Sequence, residues 1–476
     1  MPVRGRQRFR RLGRAAAVVG VGAVTAWIAA LAPGLNPVGE RTLVVFAVAV
    51  SAWTLTQLDD TFVALAAAVA AVLVGALPPD RLFAALGEQT IWLLVAAFVL
   101  AAGITATGLP ARGAVLLVGR ARSVRGLAHL VTLAVVVSAL VIPATAGRAA
   151  LALPVFLALA HVLRDRPALV RALAILFPTV ILLSAVASLI GAGAHLITVQ
   201  MLATATGAPV SFAAWLLWGL PFALVSSHLA TEVVLLLFLS REERGRPLRV
   251  DPAALAERTG VPRGPLRRDE QKVCWLLAAV VVLWCAEPLH GLPPALVALA
   301  GALVITAPRT GTTDLGAALA QVPWSLLVFM AATTALADAL TSSGAAAWLA
   351  GEALAPLAGS PLAVLAGVVL VSTAAHVVIQ SRSARSSVLV PLVIPLAVGA
   401  GLNPTALAFA STAAAGFCHS MPAAAKPVAM FARVEGAPTY GRPDLLRLSA
   451  VLGPLVALLV VLFAVTVWPL LGLPWH

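Results

Sequence analysis

Permanent cations lie inside otherwise apolar segments of this sequence. Arg148 lies in IPATAGRAALALP, Arg382 and Arg385 lie in IQSRSARSSVLVP, and Lys426, one of only two lysines, lies in GFCHSMPAAAKP. A charge near the middle of a bilayer costs at least a few kcal/mol, so such residues need a compensating partner. Arginine presents a planar fork of N–H donors that fits a carboxylate, sulfate or phosphate, and lysine supplies a compact charge. We therefore predict that these four side chains bind a small anion.

Two other interpretations of the cations stay open. Arginine side chains at a hairpin end can extend along apolar surface and place their charge at the membrane interface. They can also pair with internal acids, of which Glu232 and Asp338 are available in apolar segments.

Hydroxyl groups accompany the predicted anion-binding cations. Thr145 lies close to the first arginine, and Ser381, Ser383 and Ser386 lie around the other two. We expect helices to begin at Ala149 and Ser386, where unpaired backbone N–H groups and a partial positive charge would face the same space. The predicted binding site therefore combines fixed charges, hydroxyl donors and helix N-termini.

Proton coupling is a separate possibility for the titratable residues of the apolar segments. His195 and His419 lie in segments rich in small residues, and Glu232 and Asp338 lie within apolar runs. Histidine titrates near physiological pH, and ionisable residues inside membranes commonly mark proton pathways. For each histidine, a packing role with one satisfied hydrogen bond is the alternative.

The composition places these residues in a membrane protein. Of 476 residues, 61% are hydrophobic and only 11% are charged, which is far too apolar for a soluble domain. Crossing a bilayer core of about 30 Å takes roughly 20 apolar residues per helix. Such runs recur along the chain, which predicts an all-α polytopic bundle. The net charge of +13 comes mostly from arginines in short loops, as in membrane proteins oriented by their basic loops, so we expect no nucleic-acid partner.

Several classes of site are not indicated by the residue pattern. Cys274, Cys285 and Cys418 show no paired spacing, so neither a disulfide framework nor a metal site is expected. Phosphate-binding loops, nucleophile elbows and paired catalytic carboxylates are also missing from the sequence. We therefore expect no enzyme activity and no cofactor, and energy would come from ion gradients rather than from ATP.

Basic residues predict how the spans are oriented. Six arginines between Arg4 and Arg14 place the N-terminus on the cytoplasmic side of a cell inner membrane. The first apolar run is interpreted as a retained helix, with a cleaved signal peptide as the alternative. Spans are predicted near residues 15–33, 42–58, 61–77, 89–109, 172–204, 211–240, 273–290, 293–308, 323–341, 404–432 and 446–470, with the C-terminus outside. Eleven spans result.

Two further apolar stretches are predicted to form re-entrant hairpins. Residues 127–164 are interrupted at IPATAGR and carry arginines beyond both flanks, whereas residues 361–402 have no basic residue on either flank. The first hairpin would enter from the cytoplasm and the second from outside. Two full spans for the first stretch would also satisfy the charge rule.

The hairpins belong to two similar halves. Both hairpin segments share Ile, Arg six residues later and Pro six residues beyond that, and each is followed by a long helix interrupted by small residues. An inverted repeat of this kind is the architecture of secondary transporters. The predicted regions are a basic N-terminus and first helix (1–40), a first repeat (41–240), a cytoplasmic loop (241–272) and a second repeat (273–476).

The chain from about residue 40 to the end resembles the divalent anion:sodium symporter family of the ion-transporter superfamily. The resemblance depends on entry helices that begin near Trp92 and Trp324, on the two hairpins and on the interrupted helices after them. It implies sodium ions and a carboxylate or sulfate at the hairpin tips and helix breaks. It also implies a homodimer in which a transport domain moves like an elevator against a scaffold.

The chain departs from the motifs of that family. The family's Ser-Asn-Thr hairpin tips correspond here to Ala-Thr-Ala (144–146) and Ser-Arg-Ser (381–383), and neither Thr-Pro-Pro-Asn turn survives. We therefore expect that the usual sodium sites are absent, with fixed cations in their place.

These observations predict a secondary active or facilitative transporter of small anions, such as a di- or tricarboxylate, sulfate or a similar oxyanion. The partners implied are the lipid bilayer, the anion and a second copy of the chain. A cation/proton antiporter of the same superfamily and a transport-inactive membrane receptor or scaffold are the alternatives.

Overall fold

A computed structural model describes residues 20, 34–56, 58–248, 250, 252–262, 264–354, 360–421 and 424–476. Apart from Gly20, the predicted first span near residues 15–33 lies outside this part of the chain. The described residues form helices and contain no strand, only an isolated antiparallel bridge between Ser123 and Pro247. The predicted all-α fold is confirmed.

Among the described residues, the first half contains ten α-helices. They are α1 (Pro37–Leu55), α2 (Asp60–Leu73), α3 (Pro79–Ala84), α4 (Gln89–Ala106), α5 (Leu109–Val118), α6 (Val124–Val141), α7 (Thr145–Val162), α8 (Pro167–Leu183), α9 (Gly193–Thr206) and α10 (Phe212–Phe238). Two short helices, α11 (Arg241–Gly245) and α12 (Pro252–Thr259), lie in the segment predicted as a loop.

The second half contains α13 (Arg268–Cys285), α14 (Glu287–His290), α15 (Pro294–Ile305), α16 (Leu315–Ala320), α17 (Trp324–Ser342), α18 (Ala345–Leu354), α19 (Pro361–Ala374), α20 (Arg382–Gly399), α21 (Pro404–Ala414), α22 (Lys426–Ala432), α23 (Arg442–Leu462) and α24 (Trp468–Leu470). A π-helical turn, Phe463–Val467, joins the last two helices.

The order of elements in the first half recurs in the second. Each half begins with a pair of helices, α1 and α2 in the first half and α13 and α15 in the second. A short helix (α3 or α16) and a long entry helix (α4 or α17) follow. A helix of ten residues (α5, α18), a hairpin (α6–α7, α19–α20), a broken helix (α8–α9, α21–α22) and a long helix (α10, α23) then follow. The recurrence agrees with the predicted repeat, and it includes the ten-residue helices, which the sequence pattern did not predict.

Eight helices among the described residues are long and apolar enough to cross a bilayer. They include both arms of the first hairpin, α6 and α7, at 18 residues each. The chain is therefore a multi-pass membrane protein. The prediction of eleven spans remains a prediction.

The tips of the two hairpins differ from the sequence-based expectation in one respect. The helices after the tips begin at Thr145 and Arg382, four residues before the predicted starts at Ala149 and Ser386. The prediction was wrong because the hydroxyl and charged residues just before those two positions form the first helical turn. At the second tip, the Ser381 side chain caps this turn by accepting from the N–H of Ala384 at 3.3 Å.

The first broken helix packs against α10 without room for side chains. A Cβ atom added to Gly219 would lie 2.1 Å from the carbonyl oxygen of Val186, and one added to Gly191 would lie 2.1 Å from that of Ala185. The Trp215 indole N–H donates to the same Val186 oxygen at 3.0 Å. Glycine at these two positions lets backbone meet backbone, and this contact fixes the break in place.

Candidate functional site

The two hairpin tips and the two helix breaks meet around one cavity of about 1170 Å³. Five of the predicted site residues line it: Thr145, Ser381, Arg382, Ser383 and Lys426. Small-molecule sites usually range from about 300 to 1,000 Å³, so the space is ample for a small anion with its water. The structure therefore brings together residues that are up to 281 positions apart in the chain (426 − 145).

The tip of the first hairpin contains a strained residue. Ala144 has a φ of 63°, which costs a residue with a Cβ on the order of 1–3 kcal/mol. Its N–H donates to the carbonyl oxygen of Ile190, in the break between α8 and α9, at 3.3 Å. The contact between tip and break therefore maintains a conformation that the chain would otherwise avoid.

Arg382 connects the second tip to the break of the first half. Its Nη2 lies 3.0 Å from Nε2 of His195, and its Nη1 donates to the carbonyl oxygen of Leu182 at 3.4 Å. Its buried Nε has no acceptor among the described residues. The guanidinium is thus oriented by two contacts, lines the cavity and keeps donor capacity for a ligand.

His195 is fully buried and uses both of its ring nitrogens. Nδ1 lies 3.0 Å from the carbonyl oxygen of Ser188, and Nε2 faces Arg382. A guanidinium has no acceptor, so Nε2 must accept and Nδ1 must donate. This tautomer is neutral, and the ring also packs on Trp215 with centroids 5.0 Å apart. The geometry favours an orienting role for His195 over the predicted proton coupling.

Arg148 lies behind the first tip and does not line the large cavity. It is 1% exposed, and its guanidinium donates to the carbonyl oxygens of Val135 at 2.7 Å and Ile181 at 2.9 Å. It also donates to the hydroxyls of Ser138 and Ser184, at 3.2 and 2.5 Å. These acceptors come from α6, the C-terminal turn of α8 and the residue after it, so the arginine joins the hairpin to the broken helix.

Arg385 lies in the equivalent place in the second half. It is completely buried, and its Nη1 donates to the carbonyl oxygen of Phe417, just after α21, at 3.1 Å. Its Nε and Nη2 have no acceptor among the described residues, and neither has the Ser386 hydroxyl. Neither Arg385 nor Ser386 lines the large cavity.

The remaining predicted residues lie elsewhere. His419 is buried in the break between α21 and α22, and Asp338 is half-buried on α17, outside the cavity lining. Glu232, on α10, accepts from Arg125 Nε at 2.7 Å and contacts His129 at 2.6 Å. The alternative pairing of the tip arginines with Glu232 or Asp338 does not occur among the described residues.

Two site residues were missed by reasoning from sequence. Asp59 and Asp60 line the same cavity from the turn between α1 and α2. The signal was present in the pair of adjacent acids in LDDTF, between two apolar runs. Acids in a short turn between two spans are ordinarily solvated, so the pair alone does not indicate a binding site.

Comparisons with known proteins agree with this architecture. A 23% identical match over 335 residues with a protein named Membrane protein from Cupriavidus necator covers 66% of this chain and 64% of that protein, which is less than two thirds of its length. YflS of Bacillus subtilis, named as a candidate malate transporter, is 24% identical over 352 residues, 72% of each chain. The crystal structure of the YdaH transporter of Alcanivorax borkumensis has a TM-score of 0.55 at 18% identity and covers 83% of this chain and 88% of that one, so it shares the fold.

The family model described as the sodium:sulfate symporter transmembrane region matches residues 11–474. The match includes both hairpins, both broken helices and every residue of the cavity described above. Because it spans nearly the whole sequence, this chain belongs to the sodium:sulfate symporter family.

Proposed function

We propose that this protein is a secondary transporter that moves a small anion carrying two or more negative charges across a cell inner membrane. The observation that carries the proposal is the placement of Arg382 and Lys426, with the hydroxyls of Thr145, Ser381 and Ser383, around one cavity. Guanidinium and ammonium groups together bind carboxylate, sulfate or phosphate oxygens. The candidate malate transporter among the relatives supports a dicarboxylate as the first substrate to test.

Each cation contributes differently to binding. Arg382 is oriented by two contacts, so its fork of donors is ready for an anion at little entropic cost. Lys426 is the first residue of α22, where a helix N-terminus adds partial positive charge. Ser381 and Ser383 add hydroxyl donors from the second tip, and Thr145 adds one from the first.

We further propose that anion binding does not require sodium. In other secondary transporters, unwound carbonyls and the C-terminal ends of half-helices coordinate the coupling cation. Here Arg148 uses the carbonyl oxygen of Ile181, at the end of α8, and Arg385 uses that of Phe417, after α21. A permanent positive charge thus occupies both junctions between tip and break, where a metal cation would have to compete with it.

Purified protein in liposomes tests both proposals. Uptake of labelled malate, succinate, citrate and sulfate would be measured with an inward sodium gradient and again with choline in place of sodium. We expect uptake of at least one anion, at equal rates in both solutions. Uptake only with sodium would overturn the second proposal and leave the first intact.

Substitutions connect that uptake to the cavity. Arg382→Gln and Lys426→Gln should each weaken anion binding about 10- to 100-fold, because a hydrogen bond to a charged group contributes roughly 1.5–3 kcal/mol. Arg120, an exposed arginine, provides the matched control as Arg120→Gln. If both cavity variants transported like the control, the assigned binding role would fail.

A cation/proton antiporter is the second candidate function, because Asp59 and Asp60 also line the cavity. An antiporter would exchange protons for sodium or potassium without an added anion. The same liposomes, loaded with a pH-sensitive dye and given cation gradients alone, separate this function from anion transport.

The proposed homodimer would be tested by native mass spectrometry. The proposed elevator movement would be tested by cross-linking cysteines placed on α2 and α20.

A further inference from the structure

Asp60 lines the same cavity as Ser381, Arg382 and Lys426. Its carboxylate is half-buried. The Trp53 indole N–H donates to the backbone carbonyl of Asp60 at 3.3 Å, and the Thr61 hydroxyl donates to the carbonyl of Ser325 on α17 at 3.1 Å. The start of α2 is therefore tied to α1 and α17, which holds this acid at the wall of the cavity that contains the anion-binding groups.

The neighbouring Asp59 has a different task. Its Oδ1 accepts from the backbone N–H groups of Thr61 at 3.0 Å and Phe62 at 3.2 Å, which caps α2. Its side chain is exposed. Of the two adjacent acids, Asp60 is therefore the one whose carboxylate is not engaged in capping α2.

An anion in this cavity brings a second negative charge close to Asp60. The two cations that line the cavity, Arg382 and Lys426, attract both the ligand and the Asp60 carboxylate. A like charge in the same cavity, and the share of the cations taken by the ligand, both favour the protonated form of Asp60. By linkage, a proton on Asp60 must in turn favour the anion.

We propose that Asp60 couples anion transport to protons: it takes up one proton when an anion binds at Arg382 and Lys426 in the same cavity. The proton travels with the anion and is released on the other side when the anion leaves and no longer repels the Asp60 carboxylate. This inference depends on the proposed anion transport, and it supplies the driving force that the displaced sodium sites would leave open.

The charged groups around Asp60 are few. Asp59, Arg382 and Lys426 are the other Asp, Glu, Lys or Arg residues among the cavity-lining residues described. On the helices packed against α2, Arg41 donates to the carbonyl of Val74, at the far end of α2. Asp338 lies 13 residues beyond Ser325 along α17, about 20 Å away at 1.5 Å per residue. Asp60 is therefore the acid that an anion at Ser381 and Lys426 would meet.

The test uses full-length protein in liposomes containing a trapped pH-sensitive dye. Labelled succinate or sulfate, whichever the wild-type protein carries, is added at matched internal and external pH. We expect anion uptake to acidify the lumen with a fixed ratio of protons to anions, and an inward proton gradient to accelerate uptake. Apparent anion affinity should weaken as the pH rises, by at most tenfold per pH unit, which is the slope of a one-proton linkage.

Two variants assign the proton to its residue. Asp60→Asn should still bind the anion, with an affinity that no longer changes with pH, and should lose the response to the proton gradient. Asp80→Asn, which removes an exposed acid on α3 outside the cavity lining, should keep the wild-type response. Thermal stability and gel filtration of both variants check that they fold.

The outcomes separate the coupling from the transport function. Anion uptake by wild-type protein without any proton movement would overturn the role of Asp60 and leave anion transport standing, and this measurement needs no variant. Retention of the pH dependence by Asp60→Asn would overturn it equally. Absence of uptake for every anion under every gradient would remove the proposed function, and this inference with it.

Discussion

Replacing Arg148 by Gln separates a structural role from the predicted contact with the anion. The guanidinium makes two short bonds to backbone carbonyls, at 2.7 and 2.9 Å. At about 1.5 kcal/mol for each bond from a charged donor, their loss amounts to roughly 3 kcal/mol. Relief of the desolvation cost of the buried charge offsets part of this, so we expect about 1–3 kcal/mol of lost stability. Because the side chain does not line the large cavity, anion affinity should change less than about threefold, the effect of about 0.6 kcal/mol.

The assay pairs two measurements on detergent-solubilised protein. Intrinsic tryptophan fluorescence during heating reports the unfolding midpoint, which should fall by a few degrees, since about 1 kcal/mol shifts it by roughly 2 °C in large domains. Equilibrium binding of a labelled anion reports affinity. A loss of affinity above tenfold at an unchanged midpoint would refute this reasoning, and it would restore Arg148 as a direct ligand of the anion.

Three further predictions concern other contacts. Gly219→Ala should prevent proper folding, because the new Cβ would lie 2.1 Å from a carbonyl oxygen. Gly113→Ala should be tolerated, because nothing lies within 4 Å of the new Cβ. The yield of monodisperse protein measures both outcomes. Glu270→Gln should lower the free energy of unfolding by about 3–5 kcal/mol, because it breaks a buried ion pair with an N···O distance of 2.8 Å. Asp269→Asn, in an exposed ion pair, should lower it by under about 1 kcal/mol. Thermal unfolding compares the two variants. Arg382→Lys should weaken anion binding only about tenfold, since the charge remains and the fork is lost; binding weaker than that of the Gln variant would contradict the proposed contact.

The hairpins and helix breaks could be predicted because their residues mark them. Pro143 marks the tip of the first hairpin, and Gly191 and Gly416 mark the two helix breaks. Proline alone is not a sufficient mark, because Pro154 and Pro391 lie inside helices.

The ten-residue helices α5 and α18 were missed. Arg112, on α5, lies between the predicted span 89–109 and the predicted hairpin 127–164, yet it is buried in an ion pair with Glu270. A pairing across 158 positions leaves no local trace in the sequence.

The candidate site could be predicted only in part, for a related reason. Charge and hydroxyl content identified Arg382, Ser381 and Lys426, which do line the cavity. The same criteria could not tell that Arg148 turns away from it, because half of its partners are backbone carbonyls, which every residue possesses. Asp60 was overlooked because only the folded chain brings its turn against the second hairpin tip.

The two tip arginines are unequal although their positions repeat. Arg148 donates to four oxygen atoms, whereas Arg385 donates to one and leaves two nitrogens without acceptors among the described residues. The second hairpin is joined to its broken helix by other side chains as well, since Ser372 contacts Ser411 at 2.8 Å and His376 contacts Ser420 at 2.6 Å. The two halves thus keep the join between hairpin and broken helix while changing the side chains that make it.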